Sequence, residues 1–196
     1  MISAVRCEGL LLDVYGTVLH DDDDVLAPIC ARVAFLARET LAAAAEALGS
    51  RRAVEEAGSL VERLHSFWRS PPAFADALAF LREVRVPVCL VSNIDTDDLV
   101  AALLAHGIEV QAVVTSEDAR AYKPRPEPFE MGLRALGLAP QDVLHVGDSL
   151  TSDVAGAAAL GIRTVWVDRR GRDLPEGARP THTAAHLGEL LSLLEV

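Results

Sequence analysis

The chain has 196 residues, about half of them hydrophobic, and a formal charge of −11. That length suits one full core with a small appended unit, and the apolar content argues against disorder. A chain this acidic lacks the Lys/Arg surface that a general nucleic-acid binder needs, although a local site can still attract an anionic small molecule.

The run Gly9-Leu10-Leu11-Leu12-Asp13-Val14-Tyr15 begins apolar and stops at Gly16-Thr17, which predicts a short strand buried on both faces. Asp21 to Asp24 read as a solvated turn opening a helix, because acidic residues favour a helix N-terminus. Val25 to about Leu48 is helical and Ala-rich, ended by Gly49-Ser50. A second helical pattern runs from Arg51 to Phe67, and Pro71-Pro72 is read as opening a third helix. Val86 to Val91 is the second strand, followed by a helix over 96–106 closed by Gly107. Strands over 112–114, 143–147 and 164–167 then alternate with helices over 126–136, 152–160 and 184–194.

Strands alternating with helices of this length imply parallel crossovers, so the expected fold is α/β, a Rossmann-like doubly wound parallel sheet. The helical stretch after the first strand is too long for one crossover. Residues 20–75 are therefore expected to form a small inserted helical cap, with residues 1–19 and 76–196 forming the core. Cys7, Cys30 and Cys89 are odd in number and widely spaced, which argues against a disulfide framework or a thiolate metal site. No apolar run is long enough to span a membrane, and the N-terminus does not resemble a signal peptide, so a cytoplasmic location is expected. The expected partner is a small anionic molecule, with neither nucleic acid nor membrane, and the chain is expected to be a monomer or homodimer.

Ligands of open parallel sheets bind beyond the carboxyl ends of the strands. The residues there are Asp13 after the first strand, Ser92-Asn93 after the second, Lys123 after the third, and Asp148 after the fourth, with Asp153 a turn later. Asp13 can attack an electrophile and form a covalent intermediate. Asp148 and Asp153 add charge that calls for a hard divalent cation, for which Mg²⁺ is suited. Lys123 can neutralise the nucleophile and the transferring group, and Ser92 can hold anionic oxygens.

With these residues in this order, the sequence resembles the haloacid dehalogenase-like superfamily over nearly its whole length. The motifs are Asp13-Val14-Tyr15-Gly16-Thr17, the apolar strand ending in Ser92-Asn93, Lys123 within Tyr122-Lys123-Pro124, and Gly147-Asp148-Ser149 continuing to Asp153. The resemblance implies a Rossmann-like core with a helical cap after the first motif. It implies Asp13 as nucleophile, Ser92 and Lys123 as catalytic and phosphoryl-binding groups, and Thr17 and Asn93 as shaping the phosphate pocket. It also implies Mg²⁺ held by Asp13, the backbone carbonyl of Tyr15 and Asp148, with Asp153 in support. The implied reaction is Mg²⁺-dependent hydrolysis of a small phosphorylated metabolite through an aspartyl-enzyme intermediate.

Tyr15 departs from the pattern. The superfamily's phosphatases usually carry an aspartate there to protonate the leaving alcohol, whereas its 2-haloacid dehalogenases carry tyrosine. Metal-independent dehalogenation is therefore the first alternative, although Asp148 stands where those dehalogenases have serine. A non-catalytic binding protein that keeps the fold is the second. His145, inside a strand, reads as a core histidine, and His20 as a possible proton carrier in place of the missing aspartate. Tyr122, Phe67 and Trp68 read as residues near the site mouth or in cap packing. Arg32, Arg38 and Arg125 are candidate anion contacts.

Overall fold

The computed structural model describes residues 5–21, 62–63 and 65–194. Most of the segment expected to form the cap lies outside the described residues, and so do Cys30, Arg32 and Arg38.

Six strands form one sheet in the order β3-β2-β1-β4-β5-β6. They are β1 (Gly9–Leu12), β2 (Val88–Ser92), β3 (Ala112–Thr115), β4 (Val143–Gly147), β5 (Arg163–Val167) and β6 (His182–Ala184). Every pairing is parallel. The helices whose bounds lie wholly among the described residues include α1 (Ala75–Glu83), α2 (Thr96–His106), α3 (Ser116–Ala119), α4 (Pro126–Leu136), α5 (Ala155–Ala159) and α6 (Leu190–Leu193). The expected doubly wound sheet is thus present. Its order reverses between β1 and β4, the switch point where such sheets bind ligands.

Burial on both faces explains the unbroken apolar runs. Successive side chains of a strand point to opposite faces. Leu10, Leu12, Leu90, Leu144, Val146, Val165 and Val167 accordingly enter one core, and Leu11, Cys89, Val91 and Val143 the other. Leu10, Leu11 and Leu12 are all fully buried, each contributing about 1.5–3 kcal/mol. Cys7 and Cys89 are buried free thiols. Helices α2 and α4 close on Gly107 and Gly137, both in the left-handed conformation that glycine adopts without strain.

Two expectations are corrected. Pro71-Pro72 does not open a helix. Phe74 is the N-cap and α1 begins at Ala75, because residues 72–74 run extended beside residues 18–20. His20 N–H donates to the Pro72 carbonyl (2.8 Å), Phe74 N–H donates to the Val18 carbonyl (3.1 Å), and Leu19 bridges Ala73 antiparallel. Proline also disfavours helical backbone in the residue before it. Second, the helix expected over 184–194 is preceded by β6 and reduced to a 3₁₀ turn at Leu187–Glu189 followed by α6.

Helical residues 65–69 are fastened to the core. Arg69 Nε donates to Asp98 Oδ1 (2.6 Å), and His65 Nδ1 lies 2.9 Å from Asp98 Oδ2. Asp98 lies on α2 and is buried. Among the described residues, no helix is long and apolar enough to cross a membrane.

Candidate active site

Asp13 follows β1 directly, and its N–H still donates to Val146 of β4 (2.8 Å), so the sheet ladder fixes its backbone. The chain then turns sharply. Val18 and Leu19 N–H both donate to the Val14 carbonyl, and Gly16 N–H to Leu19. Gly16 has φ +87°, and a Cβ there would lie 2.6 Å from Asp148 Oδ2. Glycine is needed at this position for both reasons.

The turn brings Thr17 against Asp13. Thr17 is fully buried, and its hydroxyl donates to Asp13 Oδ2 (3.1 Å). On the other oxygen, Lys123 Nζ donates to Asp13 Oδ1 (2.6 Å). The same ammonium donates to Asp153 Oδ1 (2.7 Å) and to the Val91 carbonyl (2.7 Å), using all three of its donors. Asn93 clamps the backbone of this lysine. Lys123 N–H donates to Asn93 Oδ1 (2.8 Å), and Asn93 Nδ2 donates to the Lys123 carbonyl (3.1 Å). The Lys123–Pro124 peptide is cis.

Asp153 sits in a π-helical turn, Leu150–Val154, that precedes α5. Its Oδ2 accepts from Ser149 N–H (3.0 Å), and His145 Nε2 lies 3.1 Å from its Oδ1. Gly147 makes room for it, since a Cβ there would lie 2.3 Å from Asp153 Cγ. Asp148 is anchored by its carbonyl, which accepts from Trp166 Nε1 (2.9 Å) and from Arg172 Nη2 (3.3 Å).

The electrostatics follow from burial and charge count. Burial pushes the Asp13 carboxyl up to about 6, with the Asp153 charge adding to it and Lys123 opposing. Burial likewise pushes Asp148 up to about 7, reinforced by Asp13, Asp153 and Asp21. Burial works against the Asp153 charge too, but Lys123 and His145 hold that carboxyl well below the carboxylate range. Lys123 stays charged because Asp13 and Asp153 outweigh its burial. Asp13, Asp148 and Asp153 each offer an oxygen within 4.8 Å of the others. Three carboxylates with one ammonium, which pairs with Asp13 and Asp153, leave excess negative charge, so the donor set fits a hard divalent cation.

A cavity of about 460 Å³ opens onto this cluster. Asp13, Tyr15, Ser92, Asn93, Lys123, Asp148 and Asp153 all line it. Tyr122 and Trp68 line it too, whereas Thr17 acts from behind Asp13. Tyr15 donates its hydroxyl to the Trp68 carbonyl (2.6 Å), and burial together with Asp98 raises its ionisation further above the usual tyrosine value. His20 is not on the cavity wall; it stacks on Phe74 with ring centroids 3.7 Å apart. Arg125 pairs with Glu127 at the surface (2.6 Å). His145 is wholly buried against Asp153. The sequence reading missed Trp166 and Arg172, because the contacts they make lie 18 and 24 residues away.

Asp13, the buried Lys123, Asp148 and Asp153 thus gather at the switch point of a Rossmann-like sheet. The family model described as haloacid dehalogenase-like hydrolase matches residues 31–161, and the chain belongs to that family. Phosphoserine phosphatase from Thermus thermophilus is 36% identical over 154 residues, covering 71% of this chain and 61% of that protein. Haloacetate dehalogenase H-2 from Moraxella sp. is 30% identical over 128 residues, covering 64% of this chain and 57% of that protein. The chain thus spans about three-fifths of the length of these relatives. Among solved structures, the HAD phosphatase from Thermococcus onnurineus has a TM-score of 0.70 at 23% identity, covering 96% of this chain and 97% of its own.

Proposed function

We propose that the protein is a Mg²⁺-dependent phosphatase that hydrolyses a small phosphorylated metabolite through an aspartyl-enzyme intermediate on Asp13. The observation that carries this reading is the cluster of Asp13, Asp148 and Asp153, whose oxygens lie within 4.8 Å of one another, with Lys123 paired to Asp13 and Asp153. The identity to phosphoserine phosphatase supports it.

Asp13, the Tyr15 carbonyl and Asp148 would hold Mg²⁺, with Asp153 supporting the site through Lys123 and Ser149. Bound there, Mg²⁺ would supply charge that draws the phosphoryl group toward the carboxylates and offsets their repulsion. Asp13, steadied by Thr17 and Lys123, attacks phosphorus as the bond to the leaving oxygen breaks, and that oxygen takes its proton from solvent. Lys123 balances the charge, and Ser92 donates to a phosphoryl oxygen. Asn93 keeps Lys123 in place by its two backbone hydrogen bonds. Water then attacks the phosphorus and gives its proton to solvent, the bond from phosphorus to Asp13 breaks, inorganic phosphate leaves and the Asp13 carboxylate is restored.

The same proposal includes a core of residues 1–19 and 76–196 with a cap over 20–75, a cytoplasmic location, and a monomer or homodimer. A phosphate-ester screen with Mg²⁺ and with a chelator tests the reaction. Hydrolysis that needs Mg²⁺ and disappears in Asp13→Asn, with the circular dichroism spectrum unchanged, is the expected result. Turnover surviving in Asp13→Asn would defeat the mechanism.

One observation favours a second reading. The Tyr15 hydroxyl is committed to the Trp68 carbonyl, and a halide leaves without needing a proton. Haloacetate dehalogenase H-2 is among the similar proteins. Halide release from a 2-haloacid in the presence of chelator would establish that reading. Metal binding with neither reaction would point to a non-catalytic binding protein.

A further inference from the structure

We propose that Arg169, in the loop after β5, is a positioning residue that sets the geometry of Asp13 through Thr17. The inference rests on Asp13 as nucleophile, which the phosphatase and dehalogenase readings share.

Arg169 belongs to no motif that the sequence reading singled out. Its side chain is only 14% exposed. Nη1 and Nη2 each lie 3.0 Å from a carboxylate oxygen of Asp76, in the first turn of α1. Nη2 also donates to the Thr17 carbonyl at 2.7 Å. The guanidinium lies over the Phe74 ring, 3.7 Å from its centroid. Asp76 is itself fixed, since Oδ2 accepts from Leu187 N–H at 2.9 Å. The guanidinium is therefore held on one edge by α1 and on one face by Phe74, and spends its remaining reach on a single backbone atom of the nucleophile turn.

That atom belongs to the residue that touches the nucleophile. Thr17 has its carbonyl held by Arg169, its N–H donating to Val14, and its hydroxyl donating to Asp13 Oδ2. Thr17 is fully buried with Arg169 in place, and loss of Arg169 leaves its carbonyl without that donor. The turn would then relax toward a new partner and carry the Thr17 hydroxyl away from Asp13. Attack by a carboxylate is sensitive to displacement on this scale: a shift of about 1 Å can cost about 10²-fold in rate.

A double-mutant cycle tests this, with Arg169→Ala, Thr17→Val and the double variant. Rates are measured on whichever phosphate ester or haloacid the chain turns over, and normalised to folded protein. Arg169→Ala should lower kcat by about 10–100-fold with KM little changed. The double variant should lose little more than the worse single variant, because both act on one contact. Losses that multiply, or a kcat in Arg169→Ala equal to that of the parent, would overturn the proposal.

Should Arg169→Ala not fold, Arg169→Lys keeps the charge but cannot span Asp76 and the Thr17 carbonyl with a planar fork. It should show the same kcat-selective loss, and parental kcat in Arg169→Lys overturns the proposal. Haloacid turnover without phosphate turnover would defeat the phosphatase reading and leave the cycle intact. If neither substrate turns over, the beryllofluoride adduct on Asp13, followed by ¹⁹F NMR, gives the readout. The adduct should dissociate faster in Arg169→Ala; an unchanged lifetime, or no adduct in the parent, overturns the proposal.

Discussion

Asp13 carries one hydrogen bond on each carboxylate oxygen, from Thr17 and from Lys123, and both donors are themselves tied down by other residues. Its position at a strand end made it legible in the sequence, as did the similar positions of Ser92, Lys123 and Asp148. What supports those residues was not legible. Trp166, Arg169 and Arg172 reach partners that only the folded sheet brings near, and a Trp within a strand or an Arg after one has no local signature. His20 illustrates the reverse. Nearness in sequence suggested a proton carrier, whereas its ring stacks on Phe74 and it is not among the residues lining the cavity. Tyr15 carries a prediction at this scale. Its proton is bound to the Trp68 carbonyl, so it is a poor general acid. The rate on phosphate esters should fall steeply as leaving-group pKa rises, and an alkyl ester should be slower than an aryl ester by about 10²–10⁴-fold. Tyr15→Asp should narrow that gap. Equal rates for the two ester types in the parent would show that another group protonates the leaving oxygen.

At the scale of elements, strong periodicity was read well and short or irregular segments poorly. Helices over 96–106 and 126–136 match α2 and α4 residue for residue. β6 was missed because His182-Thr183-Ala184 is three residues with no apolar alternation. The helix expected from Ser152 begins earlier, as the π-helical turn Leu150–Val154. Such turns are rare and often occur at functional sites. Here the turn places Asp153 against Lys123, His145 and Ser149. The end of β4 must stay bare for this to work. Gly147→Ala would set a methyl 2.3 Å from the Asp153 carboxyl carbon. It should cost about 1–3 kcal/mol of stability through overpacking and lower turnover as Lys123 loses its partner. Urea unfolding and kcat measure the two effects. An alanine variant with parental values for both would mean that the turn repacks freely.

Across the whole molecule, the buried acids link stability to pH. Asp13 at about 6 and Asp148 at about 7 both lie above the ordinary 3.8. Between these limits the native state binds more protons than the unfolded chain, so stability from these groups is complete below about pH 4 and lost as pH rises through about 6 and 7. Asp153 has the opposite sign: its contribution is present above the ordinary carboxylate value and is lost only toward strong acid. The cation-free protein should therefore lose melting temperature between about pH 4 and about pH 7. Added Mg²⁺ should raise it more at the higher pH, where the carboxylates are deprotonated. Differential scanning fluorimetry across that range checks both trends. A shift with Mg²⁺ that is the same at both ends would argue against these carboxylates as the binding groups.

The indole of Trp166 donates to the Asp148 backbone, and that of Trp68 lines the cavity whose wall includes Tyr15. These are the only two tryptophans in the chain. All of its intrinsic indole emission therefore originates at the site, from one residue bonded to the Asp148 backbone and one lining the cavity. The protein carries its own optical probe. Excitation of unlabelled material reads occupancy of the site directly, and Trp166→Phe or Trp68→Phe assigns the signal to one residue or the other.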